Sequence, residues 1–206
     1  MAAGVGPRPG SASPAAVEAV KKARDRMNML VLVLPGQWFG LMVLYWGRFL
    51  PPLRPYTFHV PAPEPWLLAA GAAFCALPAV LPRSYFRPRA FERGPLYRRL
   101  GLRAFRFLAT DGELINRRLR RLDPSYRVMA SRAALAEHWN GSITNERWHL
   151  AFFLLGLLTQ VFALASSEYG WAALLTVFNV AFNLYPVMHQ RYKRSRLRSL
   201  YMQKMP

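Results

Sequence analysis

The chain has 206 residues, just over half of them hydrophobic, yet it carries a formal net charge of +18. Both hold only if apolar and basic residues occupy separate blocks, which disfavours an ordinary soluble globule and points to a membrane protein. The single cysteine, Cys75, excludes an intrachain disulfide framework and a cysteine-based zinc site. Lys and Arg in this excess can also bind nucleic acid by releasing counterions from phosphates. Here, however, the arginines flank apolar segments instead of interleaving with aromatic residues, so anionic lipid or a phosphorylated cosubstrate is the expected partner, and nucleic acid is not.

Residues 1–28 read as a cytosolic arm, first rich in Ala, Gly, Pro and Ser and disordered to about residue 17, then basic through Lys21, Lys22, Arg24 and Arg26. The run from Met29 to Leu50 has Arg48 as its only charge and is long enough to cross the hydrocarbon core. It reads as a signal anchor, since it is too long and too far from the N-terminus for a cleavable leader. A proline-dense turn from Pro51 to Pro65 leads to a second, marginal span from Trp66 to Leu81, so residues 29–82 form the first pair of transmembrane helices.

Residues 83–147 form the one long polar segment, with fifteen arginines against six acids, net +9. Within it Leu96, Leu100, Phe105, Leu108 and Ile115 fall at roughly helical spacing with arginines between them. That pattern fits an interfacial amphipathic helix with its guanidinium groups among lipid phosphates; a helix packed on its own protein gives the same pattern. Residues 148–189 hold two further apolar runs, His149–Ala165 and Gly170–Met188, too close together to be anything but an antiparallel hairpin. The tail, 190–206, carries six basic residues and no acid. The positive-inside rule places arm, central segment and tail on one side, which four crossings satisfy. The expected fold is therefore all-α: an integral membrane bundle of four transmembrane helices plus a cytosolic interfacial amphipathic helix, multi-pass in the plasma membrane, with both termini cytosolic.

Polar residues inside spans are costly and mark candidate sites. On the fourth span Asn179, Asn183, Pro186 and Gln190 share a face, and on the third so do Glu146, His149, Gly156 and Gln160. Counting from the hairpin turn near Glu168 sets Glu146 and His149 opposite Tyr185 to Arg191, at the cytosolic membrane edge. His149 is the candidate general base, with Glu146 one turn earlier able to orient its ring; a helix-start network of Glu and His is the competing reading. A single Glu-x-x-His is too few ligands for a di-iron centre, so no metal is expected. Arg191, beside Gln190 and Tyr192, either anchors the span or grips a substrate phosphate or carbonyl. His189 and His138 are weaker candidates. The sequence holds no GxSxG elbow, P-loop or HxxxxD box.

Three stretches, YRRLGLRAFRFLATDGELINR from Tyr97, ERWH from Glu146 and NLYPVMHQRYKRSRL from Asn183, together resemble the glycosyl-4,4′-diaponeurosporenoate acyltransferase family, small membrane proteins of carotenoid pigment assembly. The matching positions are Tyr97, Leu100, Gly101, Glu146, His149, Asn183, Gln190, Arg191, Tyr192, Arg194 and Arg196. The chain departs from the pattern at Tyr185, which lengthens the interval from Asn183 to Pro186, and at Lys193. The resemblance implies esterification of a sugar hydroxyl on a glycosylated carotenoid or glycolipid in the membrane. Acyl-CoA or another acyl donor would be the cosubstrate, with no bound cofactor. It also implies that His149 and Glu146 are catalytic and that Asn183, Gln190, Arg191, Tyr192, Arg194 and Arg196 bind substrate. The alternative is a non-enzymatic scaffold or assembly protein that binds anionic lipid through its arginines. A transporter is disfavoured because no ionisable residue falls at mid-span.

Overall fold

The computed structural model describes residues 14–50, 63–89, 92, 96–109, 112–124 and 132–203. The first thirteen residues of the expected arm and the proline-dense turn up to residue 62 lie outside these. Among the described residues the chain is helical without strands: α1 (Pro14–Gly47), α2 (Pro65–Val80), a 3-10 turn (Arg83–Phe86), α3 (Leu96–Arg99), α4 (Leu102–Leu108), α5 (Glu113–Leu122), α6 (Arg132–Ala165), α7 (Tyr169–Asn179), a π-helical segment (Val180–Leu184) and α8 (Tyr185–Gln203).

Three stretches are long and apolar enough to cross a membrane: Glu18–Gly47, Leu135–Ala165 and the continuous Tyr169–Arg198. Their outward faces carry Leu30, Val33, Val43, Leu44, Leu157, Val161 and Val177, a band of exposed apolar surface that water does not tolerate and lipid does. The expected fourth member, α2, is 16 residues long, about 24 Å at 1.5 Å per residue against a core of about 30 Å. It lies antiparallel along α6. The Leu81 carbonyl just past its end accepts from the Arg147 guanidinium at 2.8 Å, and Gly71 lets it approach Leu158.

The helices do not end where composition changes. Helices α1, α6 and α8 run unbroken through the boundaries expected at residues 28, 147 and 189, and Pro14–Val17, expected to be disordered, are helical. Backbone hydrogen bonding favours continuing a helix past the bilayer edge, so a switch from apolar to basic residues marks that edge and not a helix end.

The expected interfacial helix is instead three short ones. Gly101 adopts a left-handed φ of 72° between α3 and α4. At Gly112 any side chain would strike the Arg106 and Ala109 carbonyl oxygens, at 2.5 and 2.4 Å, which separates α4 from α5. The apolar side of α5, Ile115 and Leu119, is buried against Val20 with Ala23 and Met27 of α1. Phe105 of α4 lies against Tyr185 and His189 of α8. These apolar residues are covered by protein, because the basic segment folds back under the bundle.

The core joins α1 to the hairpin through Trp38, Leu41, Met42 and Tyr45 against Ala163, Ala172 and Leu175. The hairpin turn closes with the Glu168 N–H on the Ala163 carbonyl and the Ser167 N–H on Leu164, with Ser167 left-handed at φ 59°, the Schellman arrangement in which glycine is usual. At this end Arg48 pairs through both nitrogens with Glu168, and its guanidinium lies over the rings of Tyr45, Phe49 and Trp171. Inside the hairpin Gln160 donates to the Leu175 carbonyl at 3.3 Å and Asn179 to the Phe153 carbonyl at 3.0 Å. Much of the polar face seen in the sequence therefore ties helix to helix, as polar side chains do where lipid supplies no hydrophobic driving force.

Gly156 is the tightest point of that contact, since a Cβ there would stand 2.5 Å from the Asn179 amide. Gly156→Ala should destabilise the hairpin by about 1–3 kcal/mol, read as a lower unfolding midpoint in detergent. Adding Asn179→Ala should restore part of the loss, whereas no loss in the single variant would contradict this packing.

Candidate functional site

At the end of the bundle opposite Arg48, four charged side chains meet. Glu146 (α6) and Arg194 (α8) are fully buried and Glu92 nearly so. Arg194 donates from Nε to the Phe86 carbonyl at 3.0 Å, from one terminal nitrogen to the Ser142 carbonyl and hydroxyl at 3.0 and 2.9 Å, and from the other to Glu146. Arg191, one turn earlier, donates from Nε to the other Glu146 oxygen at 2.7 Å and to Glu92 at 3.0 Å, with its guanidinium 4.9 Å above the Tyr85 ring. The second Glu92 oxygen accepts the Arg89 N–H at 2.8 Å, and Ser142 completes the seam by donating to the Gln190 carbonyl at 3.2 Å.

Two carboxylates and two guanidinium groups make this cluster neutral, and its charge-assisted bonds offset the cost of removing four ions from water. It pins α8 to α6 and to the segment between the 3-10 turn and α3. Tyr97 belongs to its margin: burial and the neighbouring Glu92 carboxylate push its phenol above the usual range, so it stays protonated. Its ring meets Tyr192 edge-on at 5.9 Å. Tyr192 accepts from Arg106 at 3.5 Å and lies under the guanidinium groups of Arg106 and Arg196. Tyr185 donates to the Leu100 carbonyl at 2.7 Å, beside the turn that Gly101 makes.

The structure thus brings Glu146 together with Arg191, as the hairpin count anticipates, and also with Arg194 beyond that stretch, and gives both its oxygens to arginine. The Glu146 partnership with His149 that the i, i+3 spacing allows is not the one formed. His149 instead lies beside the Asn183 side chain and the Phe182 backbone, while its Nδ1 is buried with no partner among the described residues. Asn183 donates to Asn179 at 2.9 Å, and turning its amide over would serve Trp38 Nε1 at 3.2 Å. This junction is local to the π-helical segment. Pro186, just past it, has no N–H to return to the carbonyl four residues back, that of Phe182. His189 Nδ1 and Gln190 Oε1 are likewise buried and unpartnered among the described residues.

Sequence reasoning gives Glu92, Ser142 and Phe86 no place in the site. Glu92 stands 99 positions from its partner Arg191, beyond the reach of any helical spacing rule. Ser142 falls four residues before Glu146, and that interval was the available signal. Among the described residues no group of three or more His, Cys, Asp or Glu side chains is placed to hold a metal ion.

The family model described as glycosyl-4,4′-diaponeurosporenoate acyltransferase matches residues 82–203, the stretch that contains both the cluster and the His149 junction. No curated protein and no solved structure matches the chain.

Glu146→Gln should leave two buried guanidinium groups one anion short, at a cost of about 3–5 kcal/mol. The check is thermal unfolding of the purified protein in detergent, where Glu146→Met with Arg194→Met should recover most of the loss. A Glu146→Gln variant as stable as the parent would contradict a neutral, load-sharing cluster.

Proposed function

Because the chain belongs to the glycosyl-4,4′-diaponeurosporenoate acyltransferase family, and is an acyltransferase on that ground, we propose that it esterifies a hydroxyl of a sugar on a lipid-embedded acceptor. A glycosylated carotenoid or a glycolipid is the acceptor class, and acyl-CoA or another acyl donor supplies the acyl group. The observation that carries this reading is the state of His149. Its Nδ1 is buried with no hydrogen-bond partner among the described residues, so in the tautomer that carries its proton on Nε2 this nitrogen offers a lone pair to a substrate hydroxyl.

The acceptor hydroxyl loses its proton to Nδ1 as its oxygen attacks the donor carbonyl. The tetrahedral intermediate then collapses, the carbon–sulfur bond of a thioester breaks, and the leaving thiolate takes the proton back from the imidazolium. Asn183 and Gln190 are the nearby amides for the developing oxyanion. Arg191 and Arg194, expected to bind substrate, are committed to Glu146 and Glu92, so on this reading they hold α8 in place. Glu146 likewise acts through the arginines and not on the ring. Tyr192 and Arg196 lie toward the tail, where the donor would enter.

The same reading sets the protein in the plasma membrane with both termini in the cytosol. The basic arm, central segment and tail support that orientation, and α2 would complete a fourth crossing.

His149→Ala should lower acyl transfer by about a hundredfold or more, the usual contribution of a positioned general base, with unchanged membrane insertion. Mass spectrometry of lipid and pigment extracts from cells carrying each version reads the outcome: loss of a fatty-acyl increment on a glycosylated lipid is expected. Full acylation by His149→Ala would remove His149 from the reaction.

A further inference from the structure

One open cavity of about 290 Å³ lies on the outer side of the ionic cluster, lined by Arg83, Phe86, Arg87, Trp139, Asn140 and Ile143. Its floor belongs to the cluster, because the Phe86 carbonyl holds Arg194 and Ile143 follows Ser142. Its rim differs. The guanidinium groups of Arg83 and Arg87 are exposed and meet no carboxylate among the described residues, whereas Arg191 and Arg194 are fully engaged. Two exposed arginines that meet no carboxylate among the described residues, lining one cavity with a tryptophan and an asparagine, suit an anionic, planar ligand.

Size and position narrow the choice. At about 290 Å³ the cavity is at the low end for ligand pockets, which span roughly 300–1,000 Å³, so it takes one group and not a whole acyl donor. Trp139 precedes His149 by ten residues on the same helix, about 15 Å at 1.5 Å per residue. A ligand held here can react at His149 only if its charged headgroup and reacting carbonyl are joined by an extended arm of that length. Thioesters of nucleotide-bearing carriers such as coenzyme A have this build, whereas in a phospholipid the phosphate and the ester are only a few bonds apart.

We propose that this pocket seats the phosphorylated nucleotide headgroup of the acyl donor, with Arg83 and Arg87 on phosphate oxygens and the base stacked on Trp139. The assignment rests on the acyl-transfer reading above for the identity of the donor, but not for the existence of the site. It also moves donor recognition from the tail to the turn after α2 and the first half of α6.

The test is calorimetric titration of the full chain in phosphatidylcholine nanodiscs with adenosine 3′,5′-bisphosphate, inorganic pyrophosphate and glycerol 3-phosphate. The bisphosphate should bind more tightly than either of the other two. Arg83→Gln with Arg87→Gln should weaken it by about a hundredfold, two charge-assisted contacts being lost, and Trp139→Ala by about tenfold, the usual value of one stacked base. A control that removes the same charge from α5, Arg118→Gln with Arg121→Gln, should leave binding unchanged. The proposal is overturned if the bisphosphate does not bind, if glycerol 3-phosphate or pyrophosphate binds as tightly, or if the control loses as much as the pocket variant. Acyl-transfer assays separate this from the broader reading. Donor KM unchanged in the Arg83, Arg87 variant sinks the pocket alone, and bisphosphate binding through Arg83 and Arg87 without any acyl transfer sinks the reaction alone.

Discussion

A buried guanidinium sets the terms for the rest of this structure. Arg194 sits in the interior with no access to solvent, so every hydrogen it carries needs an acceptor nearby. Those acceptors come from two separate parts of the chain: the carbonyl of Phe86 in the 3-10 turn, and, on α6, the backbone and hydroxyl of Ser142 with the carboxylate of Glu146. Arg191 extends the same requirement to Glu92. Meeting it forces the polar segment after α2 to fold back against the end of the hairpin. The basic region is thereby anchored as part of the bundle.

The site has two layers with different chemistry. The outer one is a neutral cluster whose arginines and carboxylates satisfy one another and leave little capacity to take a new anion. The inner one is a π-helical turn followed by Pro186, with His149 buried beside it and its Nδ1 unpartnered among the described residues. The first gives α8 a fixed position, and through α8 it sets the register of the second. Charged residues that look like substrate ligands in a linear motif are paired with one another here, while an uncharged irregularity of the backbone lies beside the proposed base, His149.

How much of this could be read from sequence depends on whether a feature was local. The long apolar runs identified three membrane helices because about twenty consecutive apolar residues have few other uses. The short hairpin turn fixed which residues stand level, and so placed Glu146 opposite Arg191. Interactions between distant segments were hidden. Nothing near Glu92 signals Arg191, and the pattern of arginines around Ile115 and Leu119 is the same whether the apolar face meets lipid or α1. The pairing of Glu146 went to arginine and not to His149 because two permanently charged guanidinium groups each take one of its oxygens, whereas spacing alone cannot rank the partners. Helix ends were misplaced for a related reason, composition reporting the edge of the bilayer and not the end of the hydrogen-bond ladder.

The pair at the far end of the bundle bears on how the chain is threaded. Arg48 follows the last turn of α1, where a lone positive charge would compete with Lys21, Lys22, Arg24 and Arg26 as an orientation signal for that helix. Its partner Glu168 belongs to a hairpin synthesised some 120 residues later, so during insertion the competing charge stands uncancelled. Once the hairpin docks, Glu168 and three aromatic rings neutralise and cover it. The pair can therefore close only after the hairpin has formed, and the turn between α6 and α7 secures the far end of α1.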